Sequence, residues 1–370
     1  MTEHSSLTVL FATSIIRSKG DVDAFLVDLV KELARRAAHV YIICLQCDKL
    51  FISKNITVLV CPFRSPILRI FWLFSICLKI SLIKRIDFYL CFISEIVCLT
   101  LSICAKLTGK KILYWYCSVY ASSSYKVAIA LKLASTVITC SDVVKKFYST
   151  NYGINPDKIY NVGHGISVVK FYKANESYVS ECNPTKPFTI VSVARISPVK
   201  EWEKLIFAIR LLREKKSNIK VLAVGSPPAF ITSISYFNTI KELIVDSKLE
   251  DVWQFLGSIP NEHLIDVYRE ADVVVLPGYA YKTILESLAA GKITLFEKKS
   301  ANLIFPPDVV RKIDILTFTD YLSLSQRLLV LLDNKKPFIE ATNYLSNLVK
   351  REFSVEQYVS KILHLARKYK

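Results

Sequence analysis

Residues Tyr268 to Lys292 read YREADVVVLPGYAYKTILESLAAGK, and this stretch decides the fold. Asp272 to Leu276 is a continuous β-branched apolar run, the pattern of a strand buried on both faces of a parallel sheet. Pro277 and Gly278 end it. Thr283 to Ala290 has helix-forming composition, with Gly291 in the place of a C-terminal cap. Thr283-x-x-Glu286 fits a capping box, so Thr283 is expected to open the helix. A strand, a glycine loop and a helix start make an anion site, because the free amides of a first helical turn face whatever the loop holds.

Strand and helix patterns alternate outward from this stretch. The second half predicts strands at Phe188 to Ala194, Ile219 to Val224, Val252 to Leu256, Asp272 to Leu276, Ile293 to Phe296 and Ile313 to Phe318. The first half predicts strands at Leu7 to Ala12, Val40 to Leu45, Lys111 to Tyr116 and Val137 to Cys140, while Ile159 to His164 leads into Gly165, with His164 read as part of a loop. Asp21 to Arg36 shows helical spacing, and Ser141 is an N-cap for Asp142 to Ser149. The polar run Lys170 to Lys186 separates the halves. The expectation is an α/β chain of two doubly wound sheets facing a central cleft, with domains 1–180 and 187–353. Ser354 to Lys370 reads as an amphipathic helix.

Composition narrows the partners. The chain has 370 residues and a formal net charge of +17, with 52% hydrophobic residues. That charge suits a polyanion, while the hydrophobic content excludes a disordered basic tail. No nucleic-acid module is recognisable, so nucleic acid is set aside. The ten cysteines are spread through apolar segments behind an opening that does not read as a secretory signal, which points to a reducing cytosol. The lone Cys44-x-x-Cys47 lacks a second half, so no metal site is expected. Residues 63–107 hold two apolar stretches, Ile67 to Ile83 and Phe88 to Leu107, sprinkled with Arg69, Lys79, Lys84, Arg85 and Lys106. They read either as basic, aromatic helices lying on an anionic membrane surface or as a core helix pair with snorkelling lysines.

Several strands of the second half end in glycine or polar residues: Arg195 to Lys200, Gly225-Ser226-Pro227, Gly257-Ser258 and Pro277-Gly278. In a parallel sheet these carboxyl ends share one edge. Pro198 places Arg195 and Lys200 on a loop or first turn, which lets both cations face one anion.

These residues carry a resemblance. SVARISPVK at Ser192 to Lys200 resembles the GR-x3-K segment of glycosyltransferase family 4, and VWQFLG at Val252 to Gly257 resembles its V-x-F-x-G strand. Tyr268 to Gly291 is similar to the family's Y-x2-AD-x3-LPS … LEAMAxG signature, and Ser135 to Ile166 to a further ordered segment. The resemblance implies the two-domain GT-B fold and transfer of a hexose, with retention, from a UDP- or GDP-linked sugar to a lipid-linked or other glycan acceptor. It implies neither metal nor other cofactor.

By resemblance Arg195 and Lys200 hold the donor diphosphate and carry the catalytic stabilisation, assisted by amides near Thr283, Ile284 and Leu285. Glu286 would bind the ribose hydroxyls, Gly257 and Ser258 would meet the base, and Gly20 would lie in the N-terminal glycine loop. The C-terminal helix would cross back to the first domain. The chain departs from the pattern at Gly278, where the first Glu of Glu-x7-Glu is expected, and at Cys117, where a His is usual. Those departures leave a second expectation, a catalytically silent subunit that binds nucleotide or a partner glycosyltransferase. In either case the expected location is the cytosolic membrane face, peripherally bound.

Overall fold

Two parallel sheets organise the chain, in the strand orders β3-β2-β1-β4-β5-β6-β7 and β10-β9-β8-β11-β12-β13. The computed structural model describes residues 7–16, 24–48, 53–117, 125–172, 186–229 and 231–368.

The first unit comprises Met1–Gly165 with Val355–Lys370. Its strands are β1 Thr8–Ile16, β2 His39–Cys47, β3 Ile56–Val60, β4 Phe88–Phe92, β5 Lys111–Trp115, β6 Thr136–Thr139 and β7 Ile159–Asn161. Its first five helices are α1 Ala24–Arg36, α2 Pro66–Ile83, α3 Glu95–Thr108, α4 Tyr125–Leu133 and α5 Asp142–Tyr152. The second unit spans Ile166–Ser354. It holds α6 Val168–Tyr172, β8 Phe188–Val193, α7 Trp202–Arg213, β9 Ile219–Val224, α8 Ile231–Asp246, β10 Trp253–Gly257, α9 Leu264–Glu270, β11 Val273–Leu276, α10 Lys282–Ala289 and β12 Thr294–Glu297. It continues with α11 Lys298–Ile304, α12 Pro307–Lys312, β13 Thr317–Phe318, α13 Tyr321–Asp333 and α14 Lys336–Glu352. The last helix, α15 Val355–Arg367, returns to pack on α1.

Each sheet reverses its direction of growth at one place, between β1 and β4 and between β8 and β11. Both reversals are pinned in the same way. The Asp87 amide donates to the Thr8 carbonyl at 2.9 Å, and the Asp87 carboxylate accepts from the Thr8 amide at 2.7 Å. Thr189 and Asp272 repeat this, with the carboxylate accepting at 2.8 Å. A charged acceptor on a strand-end amide stops a register slip, which would turn every buried side chain to the wrong face.

Three sequence expectations change. Phe88 to Leu107 is not one apolar helix. Phe88–Phe92 is buried throughout as a central strand, and Ser94 then caps α3, its Oγ accepting from the Val97 amide at 3.4 Å. An aromatic pentapeptide buried on both faces suits a strand better than a helix with one dry side. The strand β3 was not foreseen, because an edge strand carries little alternation. The last strand shrinks from Ile313–Phe318 to Thr317–Phe318, since Asp314–Leu316 forms a 3₁₀ turn. The division of the chain falls at Gly165 and Ile166, ahead of the line drawn at 180, which itself lies outside the described residues.

The first unit's core continues into α15 through Val355, Tyr358, Val359 and Ile362. Tyr358 meets Phe25 edge-on at 5.6 Å. Truncating the fully buried Ile362 to Ala should therefore cost about 2–5 kcal/mol. Urea unfolding should show that loss in the first unit's transition and leave the second unit's midpoint unchanged.

Candidate functional site

The reversal between β8 and β11 opens a crevice at the carboxyl edge of the second sheet, because the chain leaves the two strands in opposite directions. From β8 it runs through Arg195 into a 3₁₀ turn, Pro198–Lys200, and then into α7. From β11 it runs through Pro277 and Gly278 into α10.

The two loops meet backbone to backbone. A Cβ on Gly278 would stand 2.4 Å from the Lys200 carbonyl carbon and 2.6 Å from its Cα. Only a residue without a side chain permits that approach. The Tyr279 amide donates to the Val199 carbonyl at 3.1 Å, and the Lys200 ammonium donates to the Tyr279 carbonyl. Lys200 also lies 5.7 Å from the Tyr279 ring centre. Burial, with the Arg195 guanidinium nearby, lowers the Lys200 pKa to about 8.

Neighbouring strands finish the edge in the same manner. Gly225, at φ +134°, lies so close to the Ala194 carbonyl that a Cβ would stand 1.9 Å from its oxygen. Its amide donates to the Gly257 carbonyl at 2.8 Å, and the Ile196 amide donates to the Ser226 carbonyl at 3.2 Å. The strand ends carrying Arg195, Gly225 and Gly257 are thus tied into one rim. Gly257 faces open space, and Ser258 beside it is exposed.

Below the rim, Trp202 fixes the Arg195 loop. Its indole is fully buried and donates to the Arg195 carbonyl at 3.1 Å, while the Tyr236 hydroxyl accepts from its amide at 2.8 Å. Glu201, at φ +47°, joins a four-charge network with Lys204, Lys299 and the buried Glu297. Burial works against its charge, but the bonds from Lys204 and Lys299 hold the Glu201 carboxyl down at about 2. The guanidinium of Arg195 remains exposed above this anchored turn.

The helix start differs from the capping-box expectation. The residue before α10 is Tyr281, so Thr283 lies inside the first turn and caps nothing. The Leu285 amide already donates to the Tyr281 carbonyl at 3.3 Å, which leaves the amides of Thr283 and Ile284 among those ahead of the first helical bond. Glu286 falls in the second turn. It is buried, accepts from Asn261 Nδ2 at 3.0 Å and lies 3.3 Å from the Lys282 ammonium. Released from capping, its carboxylate faces the loop that follows β10.

Of the sequence-derived site residues, Arg195, Lys200, Gly257, Ser258, Thr283, Ile284, Leu285 and Glu286 all lie at the carboxyl edge of the second sheet. Gly20 lies outside the described residues. Cys117 leaves β5 in the first unit, where its thiol donates to Thr139 Oγ1 at 3.9 Å. Burial with Cys140 alongside pushes that thiol well up, so it is neutral at physiological pH. His164, read in the sequence as mere loop, stands edge-on to Trp115 at 5.3 Å and to Phe25 at 5.2 Å. It therefore joins the carboxyl ends of β5 and β7. Trp202, Tyr236 and Asn261 were missed, because an anchoring aromatic or amide carries no motif of its own. Burial raises the Cys44 thiol to about 12, and no metal-binding cluster of His, Cys, Asp or Glu occurs among the described residues.

Comparison with known proteins fits this arrangement. Residues 176–304 match the family model for group 1 glycosyl transferases. A sucrose-phosphate synthase of Thermosynechococcus elongatus superposes with a TM-score of 0.75 at 16% identity, over 98% of each chain. The fold is GT-B. Anabaena HepE, solved in complex with UDP-glucose, superposes with a TM-score of 0.73 at 15% identity, over 97% of this chain and 99% of its own. Among curated relatives, a D-inositol 3-phosphate glycosyltransferase of Corynebacterium efficiens is 30% identical over 137 residues. That match spans 35% of this chain and 31% of the relative, so it takes in about a third of each.

The Gly278 contact yields a direct test. Gly278→Ala should cost about 1–3 kcal/mol, a Tm loss of roughly 2–12 °C, because the new methyl meets backbone and not a movable side chain. Gly278→Glu, which restores the expected family residue, should lose at least as much. A thermal melt unchanged by either substitution would show that the two backbones are not held together.

Proposed function

We infer that the chain is a glycosyltransferase whose second unit binds the diphosphate of a nucleotide-sugar. The observation that carries this is the placement of Arg195, Lys200 and the first turn of α10 around one crevice at the strand reversal. Two cations and two helix-start amides give an exposed anion more stabilisation than solvated lysines would. The curated relative and the GT-B neighbours support a transferase reading, and HepE's complex with UDP-glucose supports a UDP-linked donor.

In this reading the departing diphosphate is the group whose charge grows as the glycosidic bond breaks. Arg195 and Lys200 act as fixed electrostatic stabilisers of that charge, a role typically worth about 10²–10³ in rate for each donor group removed. Trp202 and the Gly278 contact position them. Glu286, with Asn261, receives the ribose hydroxyls beside the base, which lies over Gly257 and Ser258. The transferred group is a hexose moved with retention and without a metal, and its acceptor is a lipid-linked or other glycan.

One observation favours a second reading, a nucleotide-binding subunit without turnover. The loop that would present a carboxylate to the sugar is packed on the Lys200 backbone at Gly278, and no acid lies from Val273 to Leu285. Incubation of purified chain with radiolabelled UDP-glucose and GDP-mannose decides between the readings, since slow hydrolysis of either sugar-nucleotide establishes turnover without knowledge of the acceptor.

Two binding predictions follow from the geometry. UDP at about one hundred times its Kd should add roughly 2.7 kcal/mol of stability to the wild type and none to Arg195→Ala/Lys200→Ala, read by thermal shift. The ammonium of Lys200 is the form that binds phosphate, and it is lost as pH rises through about 8. Affinity should therefore fall between pH 8 and 9, by up to roughly tenfold, with proton uptake on binding; Lys200→Ala should bind weakly with no such slope. A flat pH profile in the wild type would remove Lys200 from the site.

A further inference from the structure

The outer face of the first unit between Arg64 and Leu133 is apolar where a folded surface is normally polar. Helix α2 is long and apolar enough to cross a membrane by length and composition, yet only a narrow stripe of it is buried. That stripe is Leu73, Cys77, Ile80 and Ser81. It is fastened to the folded unit at two points: Ser81 Oγ is bonded to the hydroxyl of Tyr89 on β4 at 2.5 Å, and Cys104 Sγ of α3 donates to the Phe74 carbonyl at 3.6 Å. A helix fastened in this way to β4 and α3 is part of the first unit's fold, with its remaining sides turned outward.

The opposite side of α2 presents Ile67, Phe71 and Leu82, which fall within about 60° of one another on the helical wheel. They are 66%, 66% and 73% exposed. Helix α3 packs beside α2 and α4 beside α3. Each adds its own exposed line: Ile96, Ile103 and Leu107 on α3, and Tyr125, Ile129 and Leu133 on α4. Single exposed apolar residues need no explanation, but three aligned stripes on adjoining helices do.

The charges around this face are almost all of one sign. Residues 63–133 contain ten lysines and arginines and two acids, Asp87 and Glu95. Asp87 is committed to the Thr8 amide, and Glu95 is the first residue of α3. Arg64 and Arg69 stand at one end of α2, and Lys84 and Arg85 at the other. An apolar face with a cationic fringe at both ends matches the interface of an anionic bilayer, where acyl chains meet the first and headgroups the second. A second protein would have to supply both an apolar face and an acidic rim in register.

We propose that α2, α3 and α4 form a docking face for an anionic lipid surface, on which the first unit rests through Ile67, Phe71, Leu82 and Ile103. The face belongs to the first unit alone and does not depend on the donor site.

Sedimentation of the full chain with vesicles tests it. The wild type should pellet with vesicles containing about a third phosphatidylglycerol, release as salt rises, and stay in solution with pure phosphatidylcholine. Phe71→Glu/Leu82→Glu should lower the bound fraction at least about tenfold, and Arg64→Glu/Lys84→Glu/Arg85→Glu should abolish the preference for anionic lipid. All these positions are exposed, and an unchanged far-ultraviolet spectrum and UDP thermal shift report that each variant is folded. A wild type that ignores anionic vesicles, or an apolar variant that pellets as well as wild type, overturns the proposal. So does a wild-type dimer that Phe71→Glu/Leu82→Glu converts to monomer without any vesicle binding, since the face would then belong to a second copy. The nucleotide shift reads the donor site separately from each of these results.

Discussion

The backbone contact between Gly278 and Lys200 is the constraint on which the second unit's site depends. At the reversal between β8 and β11 the two loops would ordinarily diverge. Here they are drawn together until no side chain fits between them. The contact brings the Tyr279 carbonyl to the Lys200 ammonium and sets the start of α10 beside the Arg195 turn. Its supports lie behind it: Asp272 fixes the register of the two strands, Trp202 anchors the Arg195 carbonyl, and the Glu201 network holds the following turn. None of these groups is itself a candidate ligand contact. Preorganisation of this kind matters because a backbone that already holds Arg195 and Lys200 at one rim leaves only side-chain rotation to be made when an anion arrives.

The same contact recasts a residue that looked like a loss. Read against the family pattern, Gly278 is a missing carboxylate. In the structure it is a position where a carboxylate cannot be accommodated without moving Lys200. In the proposed site, a carboxylate on the sugar side would compete with the Lys200 backbone for the same few ångströms.

Much of the second unit was legible because its strands are continuous apolar runs ended by Gly, Pro or a charge, and such runs have few alternatives to a buried parallel strand. The convergence of Arg195, Lys200 and Gly257 followed from strand ends alone. The capping box at Thr283 and Glu286 was misread because the tetrapeptide satisfies the pattern while tertiary packing starts the helix at Lys282. The structural duties of Tyr268 and Asp272 within the opening stretch were hidden for a different reason. Tyr268 is buried and meets Phe171 at 6.1 Å, and the Asp272 carboxylate takes the Thr189 amide, a partner 83 residues away in the chain, so neither duty shows in the local sequence. The first unit was harder. Its apolar excess blurs strand and helix periods, so Phe88–Phe92 merged with the helix after it, and the exposure of α2 is a fact of packing that composition leaves open.

The excess positive charge has two distinct settings. In the second unit, Arg195 and Lys200 are individually placed and anchored. In the first, Arg64, Arg69, Lys84 and Arg85 fringe an apolar surface at the two ends of α2. The direct measurement of the central claim is a crystal structure of the chain with UDP. The account predicts the diphosphate within hydrogen-bonding reach of the Arg195 guanidinium and the Thr283 and Ile284 amides, with the Lys200 ammonium turned from the Tyr279 carbonyl onto a phosphate oxygen. UDP bound elsewhere, or bound there with Lys200 still on Tyr279, would contradict it.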